Sequence, residues 1–512
     1  MTARLGRRHF AGGMAALSAA LGMPRPGRAA SAMGFDVARH LLSRTAFGAT
    51  PAEVEGLASM DFPAAVERLL TKVHPGATRS PPAWVDDPLS ALREKRQEAR
   101  ASASEIADGK PVNEAARLIR EQGRELRNWW IGEMLATDQP LVEKMTLFWH
   151  DHFTSSIQKV RYVPALYRQN VLFRREALGN FGTLLKAVAH DPAMLIYLDG
   201  VRNVAREPNE NFARELLELF TLGEGHYSEA DVKNAARAFT GWSIDRDSGR
   251  FVDRMQRHDA GEKTFLGQSG HFDGDDILAI LLRHPRTAET IVEKLWREFV
   301  SLTPDPVEVK RLAGLFRAGN YEMKALLRAL FLSPAFRDPA NRGALVKSPI
   351  ELIVGTVHVF GLPVPDQTPL ARMTAGLGQA LFAPPNVKGW PGGESWITTS
   401  TLLLRQQFLR RLIEATTVSS LDGNVTMVRP GRRADRVEQM PGQTMAAYPV
   451  EGRSLRYTSD EARLGPTLSG VDKATLLRTL LPHKPIDPVA AAAESPGAIV
   501  AAAVLDPAYQ LK

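Results

Sequence analysis

The chain has 512 residues, 64 Lys and Arg against 57 Asp and Glu, and no Cys. Its 44% hydrophobic and 24% charged content excludes wholesale disorder. The missing thiols exclude disulfide staples, thiolate catalysis, Cys-ligated zinc and iron–sulfur clusters. The net charge of +7 is concentrated at the start, where residues 1–32 hold five Arg and no acid, so nucleic acid is not an expected partner of the remainder.

Arg7-Arg8-His9-Phe10 is a twin-arginine pair, followed by an Ala- and Gly-rich apolar stretch to Met23 and a small-residue cleavage site at Ala30-Ser31-Ala32. Residues 1–32 therefore read as a twin-arginine signal peptide, and the mature chain is expected in the periplasm or outside the cell. The apolar stretch, about 14 residues, is too short to span a bilayer, and no transmembrane segment is expected in the mature chain. Twin-arginine export moves proteins already folded, which suits a cofactor or metal loaded before export.

From residue 36 onward, helix starts and stops recur every 15 to 25 residues with few period-2 stretches, so the expected fold is mainly α, with long ordered loops and few or no strands. A helical body is expected over 33–415. Residues 95–127, charge-rich with few apolar anchors, read as a long exposed helix or a mobile hairpin. Ser228-Glu229-Ala230-Asp231 is a capping box opening a helix that Gly241 closes. Thr287 opens a helix over Ala288–Val300, and Leu326–Leu332 stops at Ser333-Pro334. The Pro- and Gly-rich run 384–393 reads as an ordered loop, with Trp390 and Trp396 anchoring it or lining a pocket. Periodicity dies over 416–470, a loop or linker, and returns in a C-terminal helical segment, 471–512.

Two runs carry candidate chemistry. In Phe148-Trp149-His150-Asp151-His152-Phe153, His150 and His152 lie about 200° apart on a helix, so both meet one metal only if the helix ends near His150. Asp151 would then orient one ring from behind. The alternative is a packed aromatic helix end whose histidines bond backbone carbonyls. In Pro208–Phe220, Asn209 caps a helix whose apolar face is Phe212, Leu216, Leu219 and Phe220. Asn211, Glu215 and Glu218 share the opposite stripe, fit to ligate a metal or do acid–base work, or simply to face water while Arg214 pairs with Glu210 or Glu218.

His190-Asp191, His226 and His258 extend the pool, because six of the 12 histidines lie between 150 and 271. The expected metal ligands are thus His150, His152, His190, Glu215, Glu218, His226 and His258, with Asp151, Asp191 and Glu210 as catalytic candidates. Such donors suit zinc, iron, manganese or copper. There is no haem or nucleotide signal and no serine-hydrolase elbow or Walker loop in a supporting context. The leading expectation is an exported metal-dependent enzyme, hydrolytic or oxidative; the rival is a non-catalytic periplasmic or surface assembly protein.

Longer phrases align in order with one bacterial family. They include His40-Leu41-Leu42-Ser43-Arg44, Glu143-Lys144-Met145 through Phe153, His190-Asp191-Pro192-Ala193-Met194 and the run 208–225. Ala236–Trp242, Lys347-Ser348-Pro349-Ile350-Glu351 and Phe382–Gly393 follow. On these the chain resembles the family catalogued as domain of unknown function 1800. The resemblance implies an exported, mostly helical protein, often encoded beside an exported family of domain of unknown function 1501, which is the candidate partner. It implies no catalytic residue.

Overall fold

The computed structural model describes residues 31–414 and 466–512, apart from 72, 75 and 106–113. The signal-peptide reading and most of the expected 416–470 loop lie outside the described residues. Within them the protein is mainly α, with 22 α-helices and two small antiparallel sheets. The sheets are two-stranded hairpins, Trp242–Ile244 with Phe251–Asp253 and Lys263–Phe265 with Gln268–Gly270. None of the described helices is long and apolar enough to cross a membrane.

Local chemistry explains most helix starts. Pro in the first turn opens Pro51–Ala58, Pro140–His152, Pro285–Phe299, Pro349–Phe360 and Pro496–Leu505, where its missing N–H costs nothing. Capping boxes close on Thr50, Ser228, Asp273 and Ser348. The expected Ala288–Val300 helix starts earlier, at Pro285, because the His284 side chain accepts the Arg286 N–H and caps it. The 95–127 stretch is split between Leu89–Glu105 and Glu114–Ala136, and the second of these buries Leu126, Trp129 and Trp130 against the core rather than standing exposed.

One apolar core runs through the whole body, and two helices are enclosed by it. Pro140–His152 and Pro349–Phe360 bury residues on every side, including Glu143, Lys144 and Glu351. A helix enclosed in this way must find partners for its charges. Pro349–Phe360 also crosses the 46–49 turn at glycine distance. A Cβ on Gly355 would stand 2.1 Å from the Phe47 carbonyl oxygen, and one on Gly48 would stand 2.7 Å from that of Gly355.

The C-terminal helices Lys473–Leu480 and Pro496–Leu505 share this core. The tail then lies against 345–347: Lys347 N–H donates to the Gln510 carbonyl at 2.7 Å and Lys512 N–H to that of Leu345 at 2.8 Å. That pairing carries the Lys512 side chain into the interior.

The 208–220 run departs from simple helix geometry. Asn209 caps Glu210–Glu215 as expected, its side chain accepting the Asn211 N–H at 3.0 Å, but from Leu216 to Thr221 the chain widens into a π-helix. Its carbonyls are drawn off by other donors: Thr221 Oγ1 takes that of Leu216 at 2.6 Å and Lys294 Nζ takes that of Leu219 at 2.9 Å. The 100° rule fails past Leu216 for this reason. Leu217 replaces Leu219 in the buried set with Phe212, Leu216 and Phe220.

Candidate functional site

The helix Pro140–His152 does not end at His150; it runs through His152, so the two imidazoles face different surroundings. His150 is enclosed by Trp130, Phe173 and Phe382, and its Nε2 lies 3.1 Å from the Asn170 side-chain amide. His152 packs on Phe153 and Phe220 and its Nδ1 lies 2.9 Å from Lys294 Nζ. Burial holds both rings well below the usual histidine range, so both are neutral. Because Lys294 donates to Nδ1, the proton of His152 sits on Nε2.

Asp151, between them, turns to the 384–393 loop. Its Oδ1 accepts the Trp390 backbone N–H at 2.7 Å. This approach depends on Gly389, whose φ is +90° and where a Cβ would stand 2.3 Å from the same oxygen. Burial pushes the Asp151 carboxyl up to about 7, opposed by the Trp390 N–H and the Lys294 charge and reinforced by Glu298. Lys294 is pushed down to about 8, again by burial first, with Asp151 pulling it back.

Asp151 lines a cavity of about 90 Å³. Trp390 and Trp396, 6% and 5% exposed, form one wall, so the loop's tryptophans both anchor it and line a pocket. The Trp390 indole Nε1 is buried without a hydrogen-bond partner among the described residues, an unusual state for a donor beside a cavity. The opposite wall is ionic. Lys144 Nζ bonds Glu351 and reaches Glu298 at 3.1 Å, and Lys512 Nζ bonds the same Glu351 oxygen and reaches Glu298 at 3.3 Å. Burial alone would lower Lys144 and raise Glu351; Glu351 and Glu298 reverse the first and Lys144 and Lys512 the second, while burial still holds Lys512 below the usual lysine range.

The second run meets the same loop from its outer side. Glu218 accepts the Tyr227 hydroxyl at 3.2 Å and lies 4.0 Å from Lys388. Glu215 is half-buried, its carboxyl raised by burial and by Glu218. The loop thus joins the two runs, with Trp390 on Asp151 and Lys388 beside Glu218.

The other candidates are dispersed. His190 ends a helix, sits between Trp242 and Phe251 and lies 3.5 Å from Asp275. Asp191 caps the next helix, accepting Met194 N–H at 2.9 Å and the Gln169 amide at 2.8 Å; burial pushes its carboxyl up to about 7. Glu210 pairs with Arg214 at 3.0 Å, His226 is exposed, and His258 Nδ1 is bound to the Thr240 carbonyl at 2.9 Å. Among the described residues no group of three or more His, Asp or Glu is placed to hold a metal.

Sequence reasoning missed Lys294, Lys144, Glu298, Glu351 and Lys512. The Lys347-Ser348-Pro349-Ile350-Glu351 phrase was a signal for Glu351; Lys294 sits inside an ordinary amphipathic helix and gives none.

A mainly α body built around an enclosed ionic pocket is thus the class of protein. Its family model, protein of unknown function (DUF1800), matches residues 40–511, and the chain belongs to that family. No curated protein and no solved structure matches the chain.

Proposed function

We propose that the chain is an exported enzyme in which Asp151 serves as general acid and base toward a small polar molecule, or the polar end of a larger one, held between Trp390, Trp396 and the Lys144–Glu351–Lys512 wall. One observation carries this reading: the Asp151 carboxyl lines the cavity and is pushed up to about 7, so both its protonation states are populated near neutral pH. Lys294 draws that balance toward the carboxylate from behind, through its charge, while its ammonium is held by His152 and the Leu219 carbonyl. The free Trp390 indole N–H supports a ligand that brings an acceptor. Hydrolysis is the simplest reaction served, with Asp151 taking a proton from the attacking water and returning it to the leaving group. The twin-arginine segment supports export of the folded protein, and the co-encoded family of domain of unknown function 1501 is the proposed partner.

The test is mass-spectrometric turnover of pooled small polar metabolites by protein purified after export. Parent protein should consume a component that Asp151→Asn binds, read by tryptophan quenching, but leaves intact. Equal turnover by Asp151→Asn would overturn the assignment. Stoichiometric zinc, iron, manganese or copper by elemental analysis would replace the acid–base reading with a metal-dependent one. Arg7→Lys with Arg8→Lys should leave precursor in the cytoplasm, and its unimpeded export would remove the localisation.

A further inference from the structure

Behind the Lys144–Glu351–Lys512 wall the interior holds more positive charge than its acids match. Arg39, Arg44, Lys144, Arg405 and Lys512 are all buried, and among the described residues Glu351 is the one buried carboxylate that acts on this group; Glu298, one-third exposed, and Asp36, exposed and paired with Arg478, act from the surface. Glu351 is fully occupied. One oxygen takes both lysines and the other accepts the Ser348 N–H at 2.7 Å.

Two cations are left over where the chain leaves space. A second cavity, about 40 Å³, is lined by Arg39, Lys347 and Lys512 together with Ser43, Thr356 and Tyr509. Arg39 reaches the Thr479 carbonyl at 3.5 Å and has no carboxylate within ion-pair distance among the described residues. Lys347 Nζ stands 3.8 Å over the Tyr509 ring, and it too has no acid partner among them. An ammonium with no counter-ion in a low-dielectric setting is costly, and the Tyr509 ring face offsets only part of that. Burial, then Arg39, push Lys347 down to about 7.

The cations converge from separate parts of the chain. Arg39 comes from the helix Phe35–Thr45, Lys347 from the segment before Pro349, and Lys512 from the tail that pairs with that segment. Donors arriving from three directions on a space this small suit an anion with oxygens on several sides. The Gly48–Gly355 crossing forms part of the wall, so that side of the space is fixed by backbone.

We propose that the cavity between Arg39, Lys347 and Lys512 binds a tetrahedral oxyanion, phosphate or sulfate, either as the free ion or as the terminal group of a larger ligand. The site is separate from the Asp151 cavity, although Glu351 and Lys512 line both. Its bound anion would supply the negative charge that Arg39 and Lys347 lack, and so tie the tail and the Phe35–Thr45 helix to the Pro349 segment.

Calorimetric titration of the full chain with inorganic phosphate and with sulfate, against sodium chloride of equal ionic strength, tests this. The parent should bind both oxyanions, Lys347→Arg should retain binding, and Lys347→Gln should weaken it by about tenfold or more. Asp151→Asn should bind phosphate as the parent does, which separates this site from the proposed reaction. Phenyl phosphate binding as tightly as phosphate would assign the terminal group of a larger ligand, and its exclusion would assign the free ion. If Lys347→Gln fails to fold, the parent alone decides: phosphate should raise the Lys347 pKa, read from its side-chain carbon shifts. Phosphate and sulfate acting no differently from chloride, or an unmoved Lys347 titration, would overturn the proposal.

Discussion

The runs 140–153 and 208–220 look alike on paper: each opens on a Pro and continues as an amphipathic helix with acids, an aromatic face and an adjacent cation. The fold treats them oppositely. Pro140–His152 is enclosed on all sides, so each of its charges is matched by a specific partner: Glu143 by Arg174, Lys144 by Glu351. The 210–221 helix keeps one face at the surface, where Glu210, Arg214 and Glu229 form a solvated chain of ion pairs. Residue type is the same in both; the surrounding dielectric decides which carboxylates become chemically unusual.

The sharpest way to break this contrast is at Glu143. Its carboxylate accepts Arg174 Nε at 2.5 Å and Nη2 at 3.0 Å, and the Trp130 indole N–H at 2.9 Å. Both ions of the pair are almost wholly buried, at 2% and 1% exposure. Glu143→Gln strands the Arg174 charge, and we expect a loss of about 3–5 kcal/mol in urea unfolding. A loss below about 1 kcal/mol would mean that this helix is screened by water after all.

Asp151 gives the next largest effect, and its sign is fixed by the direction of its shift. Its folded pKa, about 7, lies above the ordinary aspartate value of 3.8. The folded state therefore binds more protons between these values, and stability is full below pH ~4 and lost as pH rises through about 7. Asp191 is shifted the same way and contributes alongside it, so the informative quantity is the difference between parent and variant. Asp151→Asn should remove on the order of 3–4 kcal/mol of that decline, measured by denaturant unfolding from pH 4 to 8. An unchanged slope would place the Asp151 carboxyl in water. Lys294→Met should push the same carboxyl higher still, since it removes the nearest opposing charge.

The difference between the two runs was only half legible in the sequence. Helix starts were readable because caps and prolines are local: Asn209, Ser228 and the Pro349 phrase all initiate as their chemistry dictates. The 384–393 loop was readable too, since Pro and Gly exclude helix there, and its two tryptophans bury as large apolar rings do. What failed was geometry that other parts of the chain impose. In the π-turn that starts at Leu216, Lys294, 75 residues away, takes the Leu219 carbonyl, and no 3.6-residue pattern records that. The ionic wall joins residues 144, 298, 351 and 512, which are separated by up to hundreds of positions. The histidines are illegible for a related reason: an imidazole on an aromatic helix reads alike whether it faces a metal or Phe173 and Asn170.

The smallest expected effect sharpens the surface side of the comparison. Glu210 lies 3.0 Å from Arg214 Nη2, yet that guanidinium also meets Glu229 at 2.8 Å through both terminal nitrogens. Glu229 is 68% exposed and Arg214 34%, so water competes with both contacts. Removing the Glu210 charge leaves Arg214 paired and costs its share of a screened bridge and of the favourable interaction with the helix N-terminus, together about 0.5 kcal/mol. Added salt should erase even that, because it screens both contributions. Denaturant unfolding of Glu210→Gln at low and high ionic strength checks it. A loss of 3 kcal/mol or more, the scale expected at Glu143, and one insensitive to salt, would show that the two helices differ in name only and that Glu210 belongs to a buried network.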